Sequence, residues 1–141
     1  RAAHTELRPW RAAVSEPVHV KLEADEILFA EGDEGSCMYV ITKGRVRITK
    51  TIGGQARMLT ELGPGEFLGE MSILNHEPRS ATGRAIETTT VLPYTAEDFE
   101  ELIATRPSIA VRIIRRLALR LKETNDKLKR MTELFEERSG R

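Results

Sequence analysis

From Val18 to Tyr94, short apolar runs are cut by turn signals every 6–12 residues or so. Val18-His19-Val20-Lys21-Leu22 and Arg45-Val46-Arg47-Ile48-Thr49 alternate with period two, the spacing of a strand with one face buried. Glu26-Ile27-Leu28-Phe29-Ala30 runs into Glu31-Gly32-Asp33-Glu34-Gly35, and Met38-Tyr39-Val40-Ile41 meets a turn at Lys43-Gly44. Gly53-Gly54 separates the strand at Arg45 from Arg57-Met58-Leu59-Thr60, as a hairpin turn needing positive φ would. Gly63-Pro64-Gly65 is a further break, and Ala81 to Tyr94 reads as two more strands, the second interrupted by Pro93. Short antiparallel strands joined by glycine turns predict a β-sandwich, roll or barrel.

After Tyr94 the period changes. Thr95-Ala96-Glu97-Asp98 offers an N-cap with an acid three residues on, and Phe99, Leu102 and Ile103 then share one face. Pro107 stops that helix and suits the first turn of the next. The second helix is predicted from Pro107 to roughly Glu137, with no glycine or proline inside it. Along it, Ala110, Ile114, Leu117, Leu121, Leu128, Met131 and Phe135 fall at steps alternating four and three once Thr124 fills the remaining place. That is the seam of a two-stranded coiled coil, with Thr124 as its only polar position. A polar seam residue costs stability unless it specifies register or meets a ligand. The division predicted is therefore an N-terminal arm or helix (1–16), a β-roll with a short helix (17–106) and a long C-terminal helix (107–141). The arm is assigned no function, and its Trp10 is read as a packing anchor.

A chain of 141 residues accommodates one ordinary domain plus an accessory element. Basic and acidic residues balance at 22 each, so the net charge is zero. The balance is uneven: Pro107 to Arg141 carries ten basic and five acidic residues, the remainder twelve and seventeen. Mixed charges at helical spacing read as a solvated face rather than a nucleic-acid handle. Cys37 is the sole cysteine, cannot bridge internally, and at a strand start reads as structural. His4, His19 and His76 form no pair at metal spacing, so no metal is expected. The longest run free of Asp, Glu, Lys and Arg is nine residues, Thr88 to Ala96, against the roughly twenty of a membrane span. Arg1, Glu6, Arg8, Arg11 and Glu16 break up any signal-peptide core, which makes a cytoplasmic location the expectation. No constellation of nucleophile, base and oxyanion donors is visible, so the chain is not expected to be an enzyme.

Candidate chemistry concentrates between Gly63 and Ala85. Gly69 permits close backbone approach, Glu70 to Leu74 can make one helical turn, and N–H groups at its start can face an anion. Arg79 follows a proline turn that can bring a guanidinium back over the same anion. Glu70 would repel a phosphate, so it is useful only towards a neighbouring hydroxyl; the alternative is a surface ion pair between Glu70 and Arg79.

The cassette Gly69-Glu70-Met71 followed by Pro78-Arg79-Ser80-Ala81-Thr82 resembles the phosphate-binding segment of the cyclic nucleotide-binding domain family, of catabolite-activator and protein kinase A regulatory-subunit type. Gly32-Asp33, Met38 to Ile41 and Gly44-Arg45-Val46 resemble its first strands, and the resemblance extends over Val18 to Leu134. It implies an eight-stranded antiparallel β-roll, jelly-roll-like, followed by a short and a long helix. It also implies a non-catalytic sensor of a 3′,5′-cyclic mononucleotide, cyclic AMP with cyclic GMP as the alternative. By resemblance, Glu70 accepts from the ribose 2′-hydroxyl and Arg79 clamps the phosphate. Gly69, Met71, Ser72, Ser80 and Ala81 complete that site. Thr124 matches an adenine-contacting threonine, and Asn125 a residue reaching in from the partner subunit. Ser72 departs from the usual Ala or Gly, and Gly83 from the usual aliphatic. A homodimer through the long helix is expected, relaying occupancy to a separate effector that the sequence does not name. In relatives of the activator type a winged helix-turn-helix follows that helix. Only six residues follow Phe135, so nucleic-acid binding by this chain alone is not expected. The rival readings are the sensor half of a transcription factor and a structural dimerisation module with a degenerate pocket.

Overall fold

Alternation and glycine turns resolve into eight strands in the computed structural model, which describes residues 18–140. The strands are β1 (Val20–Leu22), β2 (Ile27–Phe29), β3 (Cys37–Lys43), β4 (Val46–Ile52), β5 (Gln55–Leu62), β6 (Phe67–Leu68), β7 (Thr82–Ala85) and β8 (Thr89–Thr95). Helix α1 (Glu70–Asn75) lies between β6 and β7, and α2 (Ala96–Thr105) and α3 (Pro107–Arg138) follow β8. The arm assigned to residues 1–16, with His4 and Trp10, lies outside the described residues.

All pairings are antiparallel, in two four-stranded sheets ordered β1-β8-β3-β6 and β2-β7-β4-β5. One apolar cluster draws on every strand: Leu22, Leu28, Phe29, Cys37, Tyr39, Ile41, Val46, Leu62, Leu68, Ala85 and Val91. Each fully buried Leu, Ile or Val in it contributes about 1.5–3 kcal/mol by leaving water, which fixes the register of short strands whose hydrogen bonds alone would not. Gly53 and Gly54 both have positive φ, 63° and 81°, and close the β4–β5 hairpin by pairing Ile52 with Gln55.

Pro93 does not interrupt its strand, contrary to expectation. Strand β8 runs unbroken through it, with Pro93 opposite Tyr39 of β3. The reason is local: β1 pairs with β8 only over Thr89–Val91, so the missing N–H costs no ladder bond to β1.

The chain divides into two compact units, one ending at Phe99 and the other beginning at Glu100. Helix α2 opens on the reciprocal cap foreseen at Thr95. The Asp98 N–H donates to Thr95 Oγ1 and the Thr95 N–H to Asp98 Oδ2, both at 3.0 Å. Pro107 begins α3, whose 32 residues include none that is buried. Among the described residues, no helix is long and apolar enough to cross a membrane.

Candidate functional site

Strand β6 ends at Leu68, and Gly69 turns the chain into α1 with a left-handed φ of 85°. The turn buries Glu70, Ser72 and Ile73 and leaves Met71 and Leu74 exposed. His76 caps α1 in a left-handed conformation, and the chain returns through Pro78 to Arg79.

Arg79 is held from every side. Its N–H donates to the Asp33 carbonyl and its own carbonyl accepts from the Gly32 N–H, each at 2.8 Å. Its guanidinium donates through Nη1 to the Gly69 carbonyl (3.1 Å) and through Nη2 to the Cys37 carbonyl (2.8 Å). The same group lies 4.4 Å above the centroid of the Phe29 ring, with Tyr39 at 5.7 Å. Only 4% of Arg79 is exposed and Glu70 is likewise buried, so neither side chain is a surface group.

Two buried polar atoms have no hydrogen-bond partner among the described residues: Arg79 Nε and Ser72 Oγ. They converge beside Gly35. A Cβ built on Gly35 would lie 2.5 Å from Arg79 Nε and 2.6 Å from Ser72 Oγ. One on Gly69 would lie 2.6 Å from Arg79 Nη1. Leaving a buried donor unsatisfied costs about 1–3 kcal/mol, more for a charged group. Two at one spot suit an acceptor-rich anion that both can reach. The Cys37 and Tyr39 side chains beside the guanidinium bring no negative charge to it. Burial pushes the Cys37 thiol up, against the opposing pull of Tyr39 and Arg79, and burial likewise raises the Tyr39 phenol, so both stay uncharged near neutral pH.

Of the residues singled out from sequence, Gly69, Glu70, Ser72 and Arg79 meet at this spot or flank it. Met71 is exposed, Ser80 is exposed with its carbonyl bonded to Lys50, and Ala81 is buried. Ser72 contributes through its hydroxyl, since its N–H already donates to the Gly69 carbonyl at 3.3 Å. Thr124 and Asn125 lie on α3 in the second unit, both exposed. Sequence reasoning missed Gly35, read only as part of a turn, and Phe29, read only as a strand residue.

Comparison with known proteins identifies the family. The sequence model of the Cyclic nucleotide-binding domain matches residues 19–106. The "Cyclic AMP receptor protein" of Thermus thermophilus is 41% identical over 115 residues, which are 81% of this chain and 52% of that protein. The chain thus spans about half the length of this curated relative. Among solved structures, the Thermus thermophilus catabolite activator protein superposes with a TM-score of 0.75 at 36% identity, covering 86% of this chain and 58% of that one. The cGMP-bound form of the EAL enzyme Bd1971 superposes with a TM-score of 0.57 at 38% identity, covering 74% of this chain and 28% of that one. A family match over most of the chain, on a roll whose cassette gathers two unsatisfied buried donors, leads to one conclusion: this chain belongs to the cyclic nucleotide-binding domain family.

Proposed function

We propose that this chain is a non-catalytic sensor of a 3′,5′-cyclic mononucleotide, cyclic AMP in the first instance, and that its long helix relays occupancy to an effector. The convergence of Arg79 Nε and Ser72 Oγ beside Gly35 carries this reading. A cyclic phosphodiester is a permanent anion at neutral pH and supplies acceptors for both donors. Arg79 binds it, Ser72 and Ser80 add hydroxyls, and the backbone at Gly69, Met71 and Ala81 lines the approach. Glu70, buried at the start of α1, accepts from the ribose 2′-hydroxyl. The name of the 41%-identical relative supports cyclic AMP.

A second reading, cyclic GMP, is favoured by the cGMP-bound neighbour and by the Ser80 hydroxyl, which can accept from a guanine amino group. Thermal-shift titration decides whether either ligand binds, since a ligand at about 100 times its Kd stabilises the folded state by about 2.7 kcal/mol. No shift with cyclic AMP or cyclic GMP would defeat the sensor reading. The role of Glu70 is checked with 2′-deoxy cyclic AMP. The deoxy ligand is expected to bind roughly tenfold or more weakly, the value of one hydrogen bond to a charged acceptor, about 1.5–3 kcal/mol. In Glu70→Gln the penalty for losing the hydroxyl should shrink. Equal affinity for the two ligands in the unmodified protein would show that Glu70 faces another group.

The dimer reading rests on α3. Ile114, Leu121, Leu128, Met131 and Phe135 of its seam are each more than 60% exposed in the single chain, an apolar stripe interrupted at Thr124 that a second copy would cover. Thr124 in the seam contacts the base, and Asn125 reaches the partner's site. Thr124→Val is expected to weaken cyclic AMP binding several-fold, about the value of one neutral hydrogen bond, while leaving a dimer in sedimentation. A monomer with unchanged affinity would defeat the lid-and-dimer reading and leave the cassette standing.

A further inference from the structure

Lys50 lies on β4 opposite Arg57 of β5, outside every segment that the cassette comprises. Its ammonium reaches the Glu31 carboxylate (Nζ to Oε2, 3.4 Å) and donates to the main-chain carbonyl of Ser80 at 2.5 Å. Glu31 is anchored in turn. Its Oε1 accepts from the Thr51 N–H at 3.0 Å, and its own N–H donates to Thr82 Oγ1 at 2.9 Å. The Thr51 N–H, seconded by Lys50, holds the Glu31 carboxyl below the usual carboxylate range despite the opposing effect of burial. A strut therefore runs from β4 through the turn after β2 to both sides of Ala81.

The direction of the strut matters because every described peptide bond is trans. In a trans unit the N–H points opposite to the carbonyl. The Gly32 N–H holds the Arg79 carbonyl, which sets the direction of the Ser80 N–H. Lys50 holds the Ser80 carbonyl, which sets the direction of the Ala81 N–H. Both N–H groups consequently point away from the Gly32 and Lys50 donors.

We propose that Lys50 is a positioning residue for the anion site: bonded to Glu31 and to the Ser80 carbonyl, it locks the Ser80–Ala81 peptide so that the Ala81 N–H meets the cyclic phosphate. This inference rests on the phosphate reading of the cassette. Lys50 itself makes no bond to the ligand. Glu31 cooperates with it rather than competing for it.

The sign of the Glu31 effect separates this role from simple attraction. If Lys50 acted by pulling on the phosphate through space, removing the Glu31 charge would free it and tighten binding. If Lys50 acts as a strut, the same change loosens its grip and weakens binding. Cyclic AMP affinity is measured by calorimetry on the full chain, with the melting temperature of each ligand-free variant alongside. Lys50→Met is expected to weaken binding about 5–20-fold, the value of one charge-assisted hydrogen bond in a partly exposed setting. Lys50→Arg, which keeps charge and donors, should recover affinity to within about threefold. Glu31→Gln should weaken binding about 2–5-fold, because the amide oxygen grips the ammonium less well. The partly exposed strut should leave the ligand-free melting temperature nearly unchanged in all three. Unchanged affinity in Lys50→Met, or tighter binding in Glu31→Gln, overturns the strut while the ligand reading stands. Failure of the unmodified protein to bind either cyclic nucleotide overturns both.

Discussion

Arg79→Ala is expected to lower affinity for cyclic AMP by on the order of 10²–10⁴-fold, the largest effect of any single substitution in this chain. Each charge-assisted hydrogen bond to a phosphate is worth about 1.5–3 kcal/mol, and the fork can offer two. From sequence alone this variant looks structurally harmless. The structure argues otherwise, because the guanidinium also satisfies the Gly69 and Cys37 carbonyls and covers the face of Phe29. A lower melting temperature in the ligand-free variant is the expected companion, so affinity must be measured by calorimetry well below that midpoint. Arg79→Lys should rescue only part of the binding, since an ammonium cannot span both carbonyls and a phosphate as a planar fork does. Full affinity in Arg79→Ala would remove this residue from the site.

Gly35→Ala should have an effect nearly as large through a single methyl group. The backbone at Gly35 is not in the left-handed region, so alanine fits it without strain. The added Cβ would instead sit 2.5 Å from Arg79 Nε and Cζ and 2.6 Å from Ser72 Oγ. Real contacts do not reach such distances, and the pinned guanidinium has little room to retreat. The variant is expected to fold, by circular dichroism, yet to bind cyclic AMP at least about a hundredfold more weakly, as if the Arg79 fork had been lost. Wild-type affinity would mean that the phosphate does not occupy the spot where the two donors converge.

How far this site was legible in the sequence depended on how its parts are joined. Gly69, Glu70 and Arg79 lie within one short stretch, and spacing sufficed to bring them under notice. The strands were legible because alternation and paired glycines are local signals, as at Arg45 to Thr49 and Gly53-Gly54. Gly35 and Phe29 were not, because tertiary folding rather than chain adjacency brings them to Arg79: the Cys37 carbonyl that receives Nη2 lies 42 positions upstream. Lys50 was hidden for the same reason, as one more polar residue of an alternating strand. Pro93 misled because its consequence depends on where β1 begins, which no local pattern records.

The stitching of Arg79 to Gly32 and Asp33 bears on how such a chain tolerates changes of length. The arginine is located by the turn after β2 and not by the path it takes from α1. The stretch from His76 to Pro78, exposed throughout, only has to span the distance. Extra residues there should be absorbed as slack, since lengthening a surface loop costs little entropy. One residue inserted between Gly32 and Gly35 has no such slack. It would slide the Gly32 and Asp33 anchors relative to Gly35 and put the guanidinium out of register with Ser72. The two loops that meet at Arg79 are thus unequal: one can vary in length and the other is a ruler.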